Sequence, residues 1–118
     1  MSSVLIVDGA NVVGSVPDGW WRDRPGAARR LHERLLVGDT SYDRIVLVLE
    51  GAAKGGVRAG RDAHVLTVHA PKDGDAEIRR QAEAAAGGRV AVVTADRALA
   101  ANVSPVVVYS PGWLLDQI

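Results

Sequence analysis

Cysteine is missing from all 118 residues. That removes disulfides, thiolate nucleophiles and cysteine-ligated zinc from consideration. Phenylalanine is missing too, and the aromatic residues amount to three tryptophans and two tyrosines. A core must therefore be assembled from Val, Leu, Ile and Ala. No apolar run approaches the ~20 residues that cross a bilayer. The apolar run that begins at Val4 follows no charged leader and no stretch of signal-peptide length, so the expected location is the cytoplasm. Net charge is absent as well, with fourteen basic residues against fourteen acidic ones. A neutral total excludes neither nucleic acid nor a small substrate, because the distribution over the surface decides. Lysine is scarce: Lys54 and Lys72 are the only two, and the remaining positive charge is arginine. Arginine is the better fork for phosphate oxygens, and it is equally what a GC-rich genome encodes.

What is present is a series of short Val-rich runs: Val4–Val7, Ile45–Leu49, Val65–Val68, Val90–Val93 and Val106–Tyr109. None alternates strictly with polar residues. Continuous β-branched runs of this length suit strands covered on both faces. Helical spacing falls between them. Pro25-Gly26 opens a segment with Ala28, Leu31, Leu35 and Leu36 on one stripe and Gly38 as its stop. A second helix is expected from about Asp75 to Ala86, a third from Arg97 to Asn102, and a last turn or two after Pro111. The length allows one domain, residues 1–118. The expected fold is α/β, a three-layer sandwich around a central, mainly parallel five-stranded sheet. The stretch Gly51–Asp62 is glycine-rich, has no apolar stripe, and reads as a mobile loop. The C-terminal Trp113, Leu114 and Leu115 either pack on the core or form a patch for a homodimer.

The acidic residues fall where strands end. Asp8 closes the first run and Glu50 the second; Asp73 and Asp75 follow the third, and Asp96 follows the fourth. In an open parallel sheet these ends share one edge, and ligand clefts form there. Asp75, Ile78 and Ala82 share a helix face, so Asp75 is expected to point inward while Glu77 and Glu83 are solvated. Carboxylates crowded into one cleft raise one another's pKa. Oxygen ligands without Cys or a pair of His select hard ions, Mg²⁺ or Mn²⁺, and such ions serve phosphoryl chemistry. Taken singly, each acid also has an ordinary use: Asp8 bonding turn amides, Asp73 or Asp75 and Asp96 capping helices. Asn11 adds a polar group beside Asp8. Lys54, Arg58, Arg61, Lys72, Arg97 and Arg22 are expected along the same edge, either as a rim for a polyanion or as solvated loop charges. Trp20 and Trp21 either stack on unpaired bases or anchor a loop.

Four segments carry a resemblance. VDGANVVG at 7–14, IVLVLEG at 45–51, DGDAEIRRQA at 73–82 and VTADR at 93–97 resemble, in order and spacing, the NYN branch of the PIN-like nucleases, in particular the YacP-like group. The resemblance spans nearly the whole chain. It implies a PIN-like fold with strand order 3-2-1-4-5 and Mg²⁺- or Mn²⁺-dependent hydrolysis of RNA, single-stranded. By position, Asp8, Asp75 and Asp96 match the family's acidic centre and Asn11 its polar companion. Glu50 stands where the family has Asp, and Asp73 is either a further ligand or a cap. Ala10 stands where the family has Tyr, which removes an aromatic from the cleft. A rival reading is a PIN-like module that binds RNA or a partner without turnover. A small-molecule phosphohydrolase ranks below both: Asp8 is followed by Gly9-Ala10 rather than by a second nucleophile-pair Asp, and neither GxxxxGK(S/T) nor GxGxxG occurs.

Overall fold

Every residue from Ser3 to Asp8 is buried, which is what a strand without polar alternation requires. In the computed structural model, which describes residues 2–118, this segment is β1, the centre of a sheet. Its register sets Val4–Asp8 beside residues 44–48 of β2 (Arg44–Leu49) and Ser3–Val7 beside residues 89–93 of β5 (Arg89–Val93), both parallel. Parallel pairs β2–β4 (Val65–His69) and β5–β6 (Val107–Tyr109) extend it on either side. The full order is β3-β4-β2-β1-β5-β6. The five expected strands hold their expected order; the sixth, β3 (Gly60–Asp62), joins antiparallel to β4 at the edge.

Two apolar layers cover the sheet, one on each face, as continuous strands demand. Leu5, Val7, Ile45, Leu47, Leu49 and Val65 face α2 (Arg24–Val37) through Ala28, Leu31 and Leu35. Val12 of α1 (Gly9–Gly14) and Leu114 of α5 (Pro111–Gln117) complete that layer. Val4, Ile6, Val46, Val48 and Val92 face the other way, onto Ile78 and Ala82 of α3 (Gly74–Ala84) and Leu99 and Val103 of α4 (Arg97–Val103). Trp113 stacks on Tyr109 with centroids 3.7 Å apart, and Leu114 is fully buried. Of the two uses open to the C-terminal apolar residues, these two serve packing within the chain. Among the described residues no helix is long and apolar enough to cross a membrane.

The expected loop at Gly51–Asp62 is instead ordered structure. A 3-10 turn spans Gly51–Gly56 and is followed by β3. Ala53 and Val57 pack on the α2-side core, and the Val57 carbonyl lies 2.7 Å from His69 Nε2. Gly56 passes so close to the Pro25 carbonyl of α2 that no Cβ fits there. A 3-10 turn has three residues per turn, so its apolar contacts escape a search at helical period.

Candidate active site

At the carboxyl edge of the sheet, Asp8 is 5% exposed and ends β1. Gly9 follows because the chain turns at once into α1: a Cβ there would sit 2.6 Å from the Val48 carbonyl. The Asp8 side chain caps α1, its Oδ1 accepting from the Asn11 amide at 3.3 Å. Its Oδ2 accepts from the Thr94 hydroxyl at 2.8 Å. Thr94, itself buried, accepts in turn from the Asp96 amide at 3.0 Å. Asn11 Oδ1 accepts from the Ala95 amide at 2.9 Å. Two short polar chains thus lock the end of β1 to the turn after β5. Asn11 fixes that turn through its oxygen. Thr94 went unassigned in the sequence, although its place between a strand end and Asp96 was the available signal.

The other acids arrive from the neighbouring strand ends. Glu50 follows β2, and its Oε2 accepts from the Gly74 amide at 3.2 Å, tying the start of α3 to the sheet. Asp73 caps α3 through the Ala76 amide at 3.0 Å. Asp96 caps α4, with Oδ1 taking the amides of Ala98 and Leu99 at 2.9 and 3.1 Å. Asp75 stands half-buried in the first turn of α3, on the stripe of the buried Ile78 and Ala82.

Electrostatics join these groups. Burial pushes the Asp8 carboxyl above the ordinary aspartate value; its bonds to Thr94 and Asn11 oppose the shift, and the charges of Asp75 and Glu50 add to it. Burial also raises Asp75, followed by repulsion from Asp96, Asp73 and Glu50, with Arg79 opposing. All five acids therefore share one field. Glu77 is a correction: it is buried, not solvated. Arg80 donates to it at 3.1 and 2.6 Å and Gln81 at 2.7 Å, and the Arg80 guanidinium holds its carboxyl below the usual range.

An all-oxygen donor set whose members repel fits a hard divalent cation by its chemistry. Its spacing is open: among the described residues no three acids or histidines stand close enough to hold one ion. Mg²⁺ tolerates such a site, since it keeps several waters and takes one or two carboxylates plus substrate phosphates.

The expected cationic rim divides. Lys72 lies exposed between β4 and α3, Arg97 opens α4, Lys54 sits in the 3-10 turn after β2, and Arg58 follows it. These four stay near the carboxyl edge. Arg22, also exposed, has its guanidinium 6.0 Å from the Trp21 ring centroid. Arg61 is a correction. It pairs with Leu66 in β3 and lines a hollow of about 160 Å³ with Val4, Arg44, Ile45 and His64. Val4, Arg44 and Ile45 lie at or next to the starts of their strands, so Arg61 serves the opposite edge. The pairing of β3 draws it there, which a loop reading of Gly51–Asp62 does not foresee. Beside the acids lies a larger hollow of about 350 Å³, lined by Ala10, Val13, Trp20, Arg24, Glu50, Ala53 and Lys72.

A doubly wound, mainly parallel sheet with acids gathered at its carboxyl edge defines the class of protein: an open α/β fold with a polar cleft where its strands end. The particular fold is YacP-like. It is shared with Rae1 (YacP) from Bacillus subtilis, at a TM-score of 0.65, 20% identity, and coverage of 96% of this chain and 71% of that one. A substituted form of Rae1 gives a TM-score of 0.68 at 20% identity over 98% of this chain and 74% of that one. No protein-family model and no curated protein matches the sequence.

Proposed function

We propose that this chain is a divalent-metal-dependent ribonuclease acting on single-stranded RNA. One observation carries the reading: acids from separate strand ends meet at one edge, and two of them, Asp8 and Asp75, are pushed above the ordinary carboxylate value there. That arrangement is costly for a fold alone and suits a cation brought in with a phosphate.

In this reading Asp8, Asp75 and Asp96 would supply one or two carboxylates to each Mg²⁺ or Mn²⁺, with substrate phosphate completing the donor set, and Asp73 would stand beside them. The ion, when bound, supplies charge compensation for the phosphodiester and activation of water. The chain's own residues do the positioning. Thr94 and Asn11 orient Asp8 and hold the Asp96 turn against it. Glu50 sets the approach of α3 and hence of Asp75. Lys72, Arg97, Lys54 and Arg58 offset the phosphates on either side of the cleaved bond. The test is hydrolysis of generic single-stranded RNA with Mn²⁺ or Mg²⁺, beside Asp8→Asn and Asp96→Asn. Loss of cleavage in both variants is expected; equal activity in all three proteins overturns the proposal.

A second reading has its own support in the open spacing of the acids: a module that binds RNA or a partner without turnover. Calorimetry separates the two. A module binds RNA while showing little affinity for Mg²⁺ or Mn²⁺ at the acidic edge.

A further inference from the structure

We infer that the 350 Å³ hollow beside the acids is a nucleobase subsite, which holds the unpaired base of the nucleotide adjoining the reactive phosphate. The inference rests on the ribonuclease reading and assigns it a contact outside the acidic group.

Size comes first. The volume of about 350 Å³ falls within the roughly 300–1,000 Å³ of pockets that enclose small ligands. Chemistry comes next. Ala10, Val13 and Ala53 give an apolar floor, and the half-buried indole of Trp20 gives a wall. The Arg24 guanidinium lies 5.4 Å from the Trp20 ring centroid, and Lys72 adds a second cation to the lining. Aromatic faces and guanidinium planes are the surfaces on which proteins stack unpaired bases, and adjacent cations hold the attached phosphates. Glu50 also lines the hollow, and a carboxylate there accepts from ring N–H or amino groups.

Position completes the argument. Gly9 and Ala10 of the lining follow Asp8 directly, and Glu50 belongs both to the lining and to the field around Asp8 and Asp75. A base seated in the hollow therefore leaves its sugar-phosphate at the acidic edge. A duplex keeps its bases stacked and paired, so the hollow selects single strands. Ala10, exposed, contributes only a methyl group to the lining. Trp21, 57% exposed and edge-on to Trp20 at 5.9 Å, is outside the lining.

The experiment measures binding, in EDTA, of fluorescein-labelled pentaadenylate and pentauridylate and of their five single-abasic derivatives, by anisotropy. One abasic position is expected to weaken binding at least about tenfold, the others less than about threefold. Ala10→Phe fills the hollow from an exposed position and should flatten that profile while keeping the wild-type Tm; Trp20→Ala should flatten it as well. Equal losses at all five positions, no measurable binding of either pentamer, or an unchanged profile in Ala10→Phe overturns the subsite. Cleavage with Mn²⁺ is scored separately. Cleavage with a flat abasic profile removes the subsite and leaves the nuclease. A position-specific profile without cleavage removes the nuclease and leaves the hollow as the base site of a module that binds RNA without turnover.

Discussion

Asp75 and Glu77 sit two residues apart in the first turns of α3, and their carboxyls move in opposite directions. Glu77 is held low by a bidentate arginine one turn on. Asp75 is pushed high by burial and by three other acids. Both lie on the helix that covers the same sheet face. The difference is that Glu77 has its counter-charge built into the chain, whereas the cation facing Asp75 from its own helix, Arg79, only partly offsets the repulsion. An acid with a fixed partner stabilises a fold; an acid left among acids is a standing cost that a ligand can relieve.

The contrast breaks most visibly in catalysis. Asp75→Asn should lower RNA cleavage on the order of a hundredfold or more, while Glu77→Gln stays within a few-fold of wild type; parallel initial rates check this. Next in size is the support beneath Asp8. Thr94→Val keeps the shape but removes one donor and one acceptor, and should cost about 1–3 kcal/mol by denaturant melts. Because the Thr94 bond lowers the Asp8 carboxyl, its loss should also move the acid limb of the pH–rate profile upward. Third is relief by metal. Mg²⁺ or Mn²⁺ at tenfold over its Kd should stabilise the wild type by about 1.4 kcal/mol and should leave Asp75→Asn unmoved, as read by thermal shift.

The smallest effect sharpens the comparison by sign. Asp75 binds its proton more tightly folded than unfolded, so its contribution falls as pH rises through the raised folded value, and its charge is a cost at neutral pH. Glu77 binds its proton less tightly folded, so its contribution is present above the unfolded value and disappears as pH falls through the lowered one. At pH 7 without metal, Asp75→Asn should raise Tm by a few degrees and Glu77→Gln should lower it. The Asp75 difference should vanish below the unfolded carboxylate value, and the Glu77 difference only below its lowered folded value. Shifts of the same sign would dissolve the distinction between the two acids.

The sheet was legible because buried parallel strands need apolar residues on both faces, and Val4–Val7 or Ile45–Leu49 carry no polar residue that a rival element would want. The convergence of Asp8, Glu50, Asp75 and Asp96 was legible for a topological reason, since parallel strands finish together. Four things were hidden. Helix α1 is only a turn and a half long, shorter than any window in which period 3.6 shows. The turn and strand within Gly51–Asp62 depend on tertiary contacts with α2 and β4, and their glycines imitate a loop. The same pairing carries Arg61 away from the acidic edge. The Asp8–Thr94–Asp96 chain joins residues far apart in sequence, and nothing local in VTADR announces which carboxylate a threonine will meet. Helix phase places Glu77 in solvent, but phase says where a side chain starts and not which neighbours fold over it.

The position of β1 has a consequence for how the molecule is made. It precedes both of its partners in the chain and every one of its residues is buried, yet the strands that flank it are residues 44–48 and 89–93. During translation an apolar ribbon with two open edges must wait, half-paired at best, until the fifth strand emerges. Long-range parallel pairing of this kind slows folding and leaves nascent chains prone to sticking, so the ribosome-bound stage is the period of greatest exposure for this protein.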